Sequence, residues 1–166
     1  MLDELLYVIP AHTDRAEVKK MLEEHPEIKF VSLVGVDMAG NDTDEKIPMR
    51  IFLKDIDDFY AGSAVQTDGS SVVLPGIATL NNAKVDMPVD PDVNWFVDYN
   101  FEHYDEDSEK PIGTLRIPSF LIHEGKRVDA RAVLADSLEY VKKGLLDLFH
   151  AHPDIAGLAV KGTDIE

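Results

Sequence analysis

Cysteine is absent from this chain of 166 residues, so it has neither a disulfide framework nor thiolate chemistry. Positive charge is scarce: 16 Lys and Arg stand against 32 Asp and Glu, and the formal net charge is −16. A surface this acidic repels phosphate backbones and anionic lipid, and the basic residues nowhere gather into a run, so no nucleic acid partner is expected. No apolar stretch reaches the roughly eighteen residues that cross a bilayer. The opening M-L-D-E-L-L-Y-V-I-P is acidic where a secretory signal is basic. The expected location is therefore cytoplasmic, with no membrane association. Also missing are G-x-x-x-x-G-K-[ST], G-x-G-x-x-G and G-x-S-x-G, which removes the phosphate-cradling loops and the nucleophile elbow.

What is present reads as one ordinary domain with a core, followed by a small appendage. Asp14 and Glu17 have capping-box spacing, and Val18, Met21 and Leu22 fall at i, i+3, i+4, which predicts an amphipathic helix over 14–25, ended by Pro26. Lys29 to Val36 is apolar on both faces and predicts a central strand covered on both sides. A Gly-Asn turn at 38–42 then leads into a second strand over Glu45 to Phe52, in which Pro48 marks a sheet edge or a bulge. Leu53, Ile56, Phe59 and Tyr60 have helical spacing, and Gly62 stops that helix. Further strands are expected at 94–102 and 113–123, joined through the charged segment 104–110, with H-E-G-K as a later turn. From Asp129, a potential cap, apolar residues recur at three- and four-residue steps through Leu148, predicting a helix to about His150. The expected class is α+β.

The stretch T-D-G-S-S-V-V-L-P-G, from Thr67 to Gly76, stands out. Asp68-Gly69 makes a tight turn, followed by hydroxyls at Ser70 and Ser71 and a Pro75-Gly76 interruption. A carboxylate is thereby presented at a loop tip, where it can meet a ligand. The same Asp-Gly pair is also favoured in turns for backbone reasons alone. Ser70 and Ser71 have no evident His partner for nucleophilic chemistry.

Taken with its flanks, K-F-V-S-L-V-G-V-D-M-A-G-N-D-T-D-E-K-I-P upstream and V-D-M-P-V-D-P-D and G-T-L-R-I-P-S-F-L downstream, this loop resembles the amino-terminal domain of glutamine synthetase. Five elements recur in order: a strand ending in Asp, a Gly turn, an I-P pair, a short helix and D-G-S-S. The resemblance spans roughly residues 14–150. It implies a β-grasp-like mixed sheet with packed helices over residues 1–128. Residues 129–166 would then be the first helix and strand of a catalytic domain that is cut short, the strand starting at Ile155 to Val160. It further implies that Asp68 is a catalytic residue, with Ser71 beside it, reaching into the neighbouring subunit's active site to bind ammonium and take its proton.

By the same resemblance, the full-length enzyme makes glutamine from glutamate, ammonia and ATP through γ-glutamyl phosphate. It uses Mg or Mn held by a catalytic domain and assembles as a homo-oligomeric ring, and the isolated chain is inactive. Relatives place an aromatic residue soon after the double Ser; here Val72-Val73-Leu74-Pro75 stands instead, which puts the nucleotide-side contact in doubt. Asp86 and Asp92 match family positions and are expected to be structural. No metal or cofactor site is expected within the chain: His150 and His152 lack company, His103 reads as a surface residue, and the acids of 37–45 miss EF-hand spacing. An alternative from the residues is a stand-alone acidic interaction module that recognises a partner by strand addition at a sheet edge.

Overall fold

The computed structural model describes residues 5–68, 71, 72, 74 and 84–156. It divides into two compact units, 1–130 and 131–166.

The first unit is an α+β assembly around a five-stranded mixed sheet. Its strands are β1 (Val8–Ile9), β2 (Ile28–Val36), β3 (Asp42–Pro48), β6 (Trp95–Tyr104) and β7 (Pro111–Pro118), in the order β1-β6-β7-β2-β3. The neighbouring inner strands β2 and β7 run parallel, with Val31 opposite Leu115 and Leu33 opposite Ile117, while every other pairing in this sheet is antiparallel. A hairpin, an intervening helical segment and a return beside the first strand of that hairpin give the grasp-type order that the resemblance implied. Helix α1 (Arg15–Glu23) starts where the capping signal placed it: the Asp14 carboxylate accepts from the Ala16 amide at 2.8 Å, and Val18 and Leu22 are buried.

The sheet is not covered equally on its two faces. Val31 and Leu33 are fully buried in a core shared with Leu115, Ile117, Trp95, Val18, Leu22, Phe52 and Phe59. On the other face of β2, Phe30, Val34 and Val36 are only half-buried. The expectation of a strand covered on both sides therefore holds for one face. The other is roofed by polar side chains: Lys46 lies 4.4 Å from the Phe30 ring centroid, and Arg116 donates to Ser32 Oγ (3.1 Å) and Asp44 Oδ2 (2.9 Å). Mixed-charge side chains can stand over a sheet face in this way because their aliphatic stems pack while their heads stay wet.

The second strand of the hairpin also ends earlier than its apolar pattern suggests. Pro48, at φ −60°, closes β3 and opens α2 (Met49–Lys54), because a proline has no amide for the ladder but has the φ a helix entry needs. Helix α3 (Ile56–Ala61) follows after a break at Asp55, and Gly62 closes it at φ +81°, as its position predicted.

A second, four-stranded sheet is built from β4 (Gln66–Asp68), β5 (Lys84–Asp86), β8 (Ile122–His123) and β9 (Lys126–Arg127), in that order. The expected single strand over 113–123 is thus two strands. After Pro118 the chain leaves the first sheet, with the Ser119 amide donating to Val34 O and that of Phe120 to Pro88 O, before β8 joins β5. Asp129, read as a helix cap, is fully buried, and its carboxylate accepts the Leu121 amide at 3.0 Å, fastening the end of this unit to the chain just before β8.

The second unit contains the long helix α4 (Ala130–Ala151) and the short α5 (Pro153–Ala156). A strand was expected from Ile155; residues 155 and 156 are instead helical, and 157–160 lie outside the described residues. The apolar stripe of α4 (Leu134, Leu138, Val141, Leu145, Leu148) is solvent-exposed.

Candidate functional site

The turn singled out in the sequence is held at its entry by strand pairing and at its exit by the core. β4 pairs antiparallel with β5, so that Gln66 faces Asp86, Thr67 faces Val85 and Asp68 faces Lys84. Alternation along β4 buries Thr67 and leaves Gln66 and Asp68 exposed, so the Asp68 side chain is directed outward by strand geometry. The Ser71 amide then donates to the Asp68 carbonyl at 2.8 Å, closing a turn within three residues. Ser71 is exposed. Val72 and Leu74, just beyond, are 5% and 3% exposed and belong to the hydrophobic core.

The structure therefore brings Asp68 and Ser71 together on one turn at the surface. Gly69, Ser70 and the Pro75-Gly76 pair lie outside the described residues. The aliphatic character of this stretch has a packing reason at two positions. Val72 and Leu74 fill the core, a role for side chains without polar atoms to satisfy. A carboxylate and a hydroxyl carried on one exposed turn offer acceptors to a cationic or N–H-rich ligand.

Asp86 and Asp92, the other acids singled out in the sequence, make local contacts. The Asp86 carboxylate accepts from Gln66 Nε2 and ties β4 to β5. Asp92 is exposed and faces the His12 imidazole at 3.4 Å. Its neighbour Asp90, not singled out in the sequence, carries more of the architecture: it is 2% exposed, its carboxylate accepts the Asp92 amide (3.0 Å), and its carbonyl accepts Trp95 Nε1 (2.7 Å). The D-P-D spacing was the available signal for this turn. Asp37 is likewise buried and accepts the amides of Ala39 and Asn41 at 2.8 and 2.9 Å, so residues 37–41 form a self-capped hairpin turn and Asp42 to Glu45 belong to β3.

Sequence reasoning also missed a charged cluster at the start of β2. Glu27 is fully buried; its Oε1 lies 2.9 Å from His25 Nδ1 and 3.6 Å from Lys110 Nζ, and its Oε2 has no hydrogen-bond partner among the described residues. Burial, reinforced by the Glu27 carboxylate, holds the Tyr99 hydroxyl well above the usual phenol range, and that hydroxyl donates to Leu6 O at 3.0 Å. Nearby, hydrogen bonds from Lys29 and then Ser108 hold Asp105 below the ordinary carboxylate range. Only the fold reveals the Glu27–Lys110 and Lys29–Asp105 pairs, because their members are far apart in sequence. Among the described residues, no three His, Cys, Asp or Glu side chains stand close enough to hold a metal ion.

A grasp-type sheet with an outward acid-and-hydroxyl turn on a small accessory sheet defines the fold class; comparison with known proteins narrows it. No family model matches the chain. No curated protein matches it either. Solved structures do. A GmaS/ADP complex is similar with a TM-score of 0.53 and 17% identity, over 80% of this chain and 26% of that one. Apo GmaS without ligand gives 0.53 and 17%, over 80% and 27%. A cryo-EM structure of Plasmodium falciparum glutamine synthetase gives 0.54 and 15%, over 81% and 23%. The chain thus has the fold of a segment of glutamine synthetase, as expected for its amino-terminal region, and spans about a quarter of the length of the structures it matches.

Proposed function

We propose that this chain is the loop-bearing amino-terminal portion of a glutamine synthetase-like ligase, an enzyme joining an amine to glutamate with ATP. In this reading Asp68, with Ser71 beside it, is delivered to an active site completed by the adjoining subunit of a homo-oligomer. ATP, glutamate and the Mg or Mn ions belong to a catalytic domain outside this chain. The observation that carries the reading is the placement of Asp68: strand pairing on one side and the buried Val72 and Leu74 on the other hold its side chain outward within a fold shared with glutamine synthetase.

The chemistry follows from the side chain. Ammonium presents N–H donors and one positive charge, and an ionised carboxylate in a water-poor cleft binds it through charge-assisted hydrogen bonds. The same carboxylate can accept a proton as the amine becomes a nucleophile. Neither step is complete in one copy of the chain, because the phosphorylated substrate must come from elsewhere.

Asp68→Asn keeps the shape and removes the base. In an enzyme assembled from this chain and its catalytic domain, we expect the variant to lose about 10²-fold or more in turnover at an unchanged melting temperature. Formation of glutamine or γ-glutamyl hydroxamate is the assay. Wild-type turnover by Asp68→Asn, or turnover by the isolated chain, would refute the reading.

A further inference from the structure

Away from the Asp68 turn, the end of α1, the start of β2 and α2 line an open groove of about 470 Å³. That volume lies within the range of small-molecule sites. Leu22, Ile28 and Met49, all buried, contribute apolar side chains, and Leu53 adds another. Two cations stand at its margin. Lys29 is engaged by Asp105, but Arg50 has no acidic partner among the described residues. In a chain with 32 acids and 16 bases, a guanidinium with no acidic partner among the described residues, beside an apolar groove, is an available recognition element. Glu23, on the α1 side of the groove, repels a second negative charge.

We propose that this groove binds a free amphipathic monocarboxylate, its apolar body lying over Leu22, Met49 and Leu53 and its carboxylate on Arg50. The guanidinium fork matches a carboxylate bidentately, and burying the body removes apolar surface from water. The proposal uses no part of the Asp68 turn and stands or falls independently of the ligase reading.

The test is calorimetric titration of the full chain with octanoate, with 1-octanol and octanedioate as comparison ligands. Octanoate is expected to bind saturably, and each comparison ligand at least about ten-fold more weakly. Arg50→Glu should weaken octanoate by about ten-fold or more, leave octanol unchanged and preserve the circular dichroism spectrum, while Arg50→Lys should retain most of the affinity. Amide NMR shifts should fall on residues 22–29 and 48–53. Three outcomes would overturn the proposal: absence of saturable binding, equal octanoate affinity in Arg50→Glu, or shifts confined to the exposed apolar stripe of α4.

Discussion

Asp105 shows how one side chain can set part of the protein's acid response. Hydrogen bonds from Lys29 and Ser108 favour its ionised form in the native state, so its folded pKa lies below the unfolded value of about 4. The sign follows from proton binding. As pH falls below about 4 the unfolded chain takes up the proton first, so the stabilisation present at neutral pH is lost as pH drops through the folded pKa. Asp105→Asn should therefore flatten the stability profile between about pH 5 and pH 2 relative to wild type, as followed by urea midpoints across that range. An equally steep profile in the variant would show that other carboxylates dominate acid unfolding. The same scale explains what the sequence hid. Asp14 could be read as a cap because its partner is two residues away. Glu27 and Lys110, or Ser32 and Arg116, meet only after β2 and β7 have come side by side, and nothing in their local spacing announces the pairing.

At the level of elements, the junction of β2, β7 and β6 is closed so tightly that it constrains one position sharply. A Cβ built on Gly113 would come 2.9 Å from Val97 Cγ1, 3.0 Å from Tyr99 Cε1 and 3.2 Å from Ile28 Cγ1. Gly113→Ala should cost about 1–3 kcal/mol through overpacking, read as a lower urea midpoint at an unchanged m-value. A neutral effect would mean that the core relaxes more readily than its close contacts imply. Most of the elements themselves were legible. Period-3.6 and capping signals located α1 and α4, and Gly62 gave the end of α3. Two of the misplaced strand ends fell where a single proline carried two meanings. At Pro48 the chain passes from strand into helix, since Met49 and Phe52 bury themselves at helical spacing, while the apolar run reads as continued strand. At Pro118 a similar apolar run spans two different sheets. The candidate site was legible as a turn at Asp68; what could not be read was that Val72 and Leu74 would be its anchors, because burial depends on elements distant in the chain.

For the molecule as a whole, charge is the dominant global property. A formal net charge of −16 places the folded state under self-repulsion, which salt screens as the Debye length shrinks from about 30 Å at 0.01 M to about 8 Å at 0.15 M. Raising salt over that interval should increase the melting temperature by roughly 2–4 °C, equivalent to about 1 kcal/mol. A fall would show that the specific ion pairs, such as Arg116 with Asp44, outweigh the general repulsion. Among the described residues no helix is long and apolar enough to cross a membrane.

The alternation of inward and outward side chains around Asp68 couples two kinds of selection that are usually separate. Val72 and Leu74 answer to the interior, and Asp68 and Ser71, a few bonds away, answer to whatever arrives from outside. Evolution or an engineer wishing to change the chemistry presented there must therefore edit in a comb pattern, altering the teeth that face water and sparing those that face inward. A wholesale loop transplant would disturb both at once.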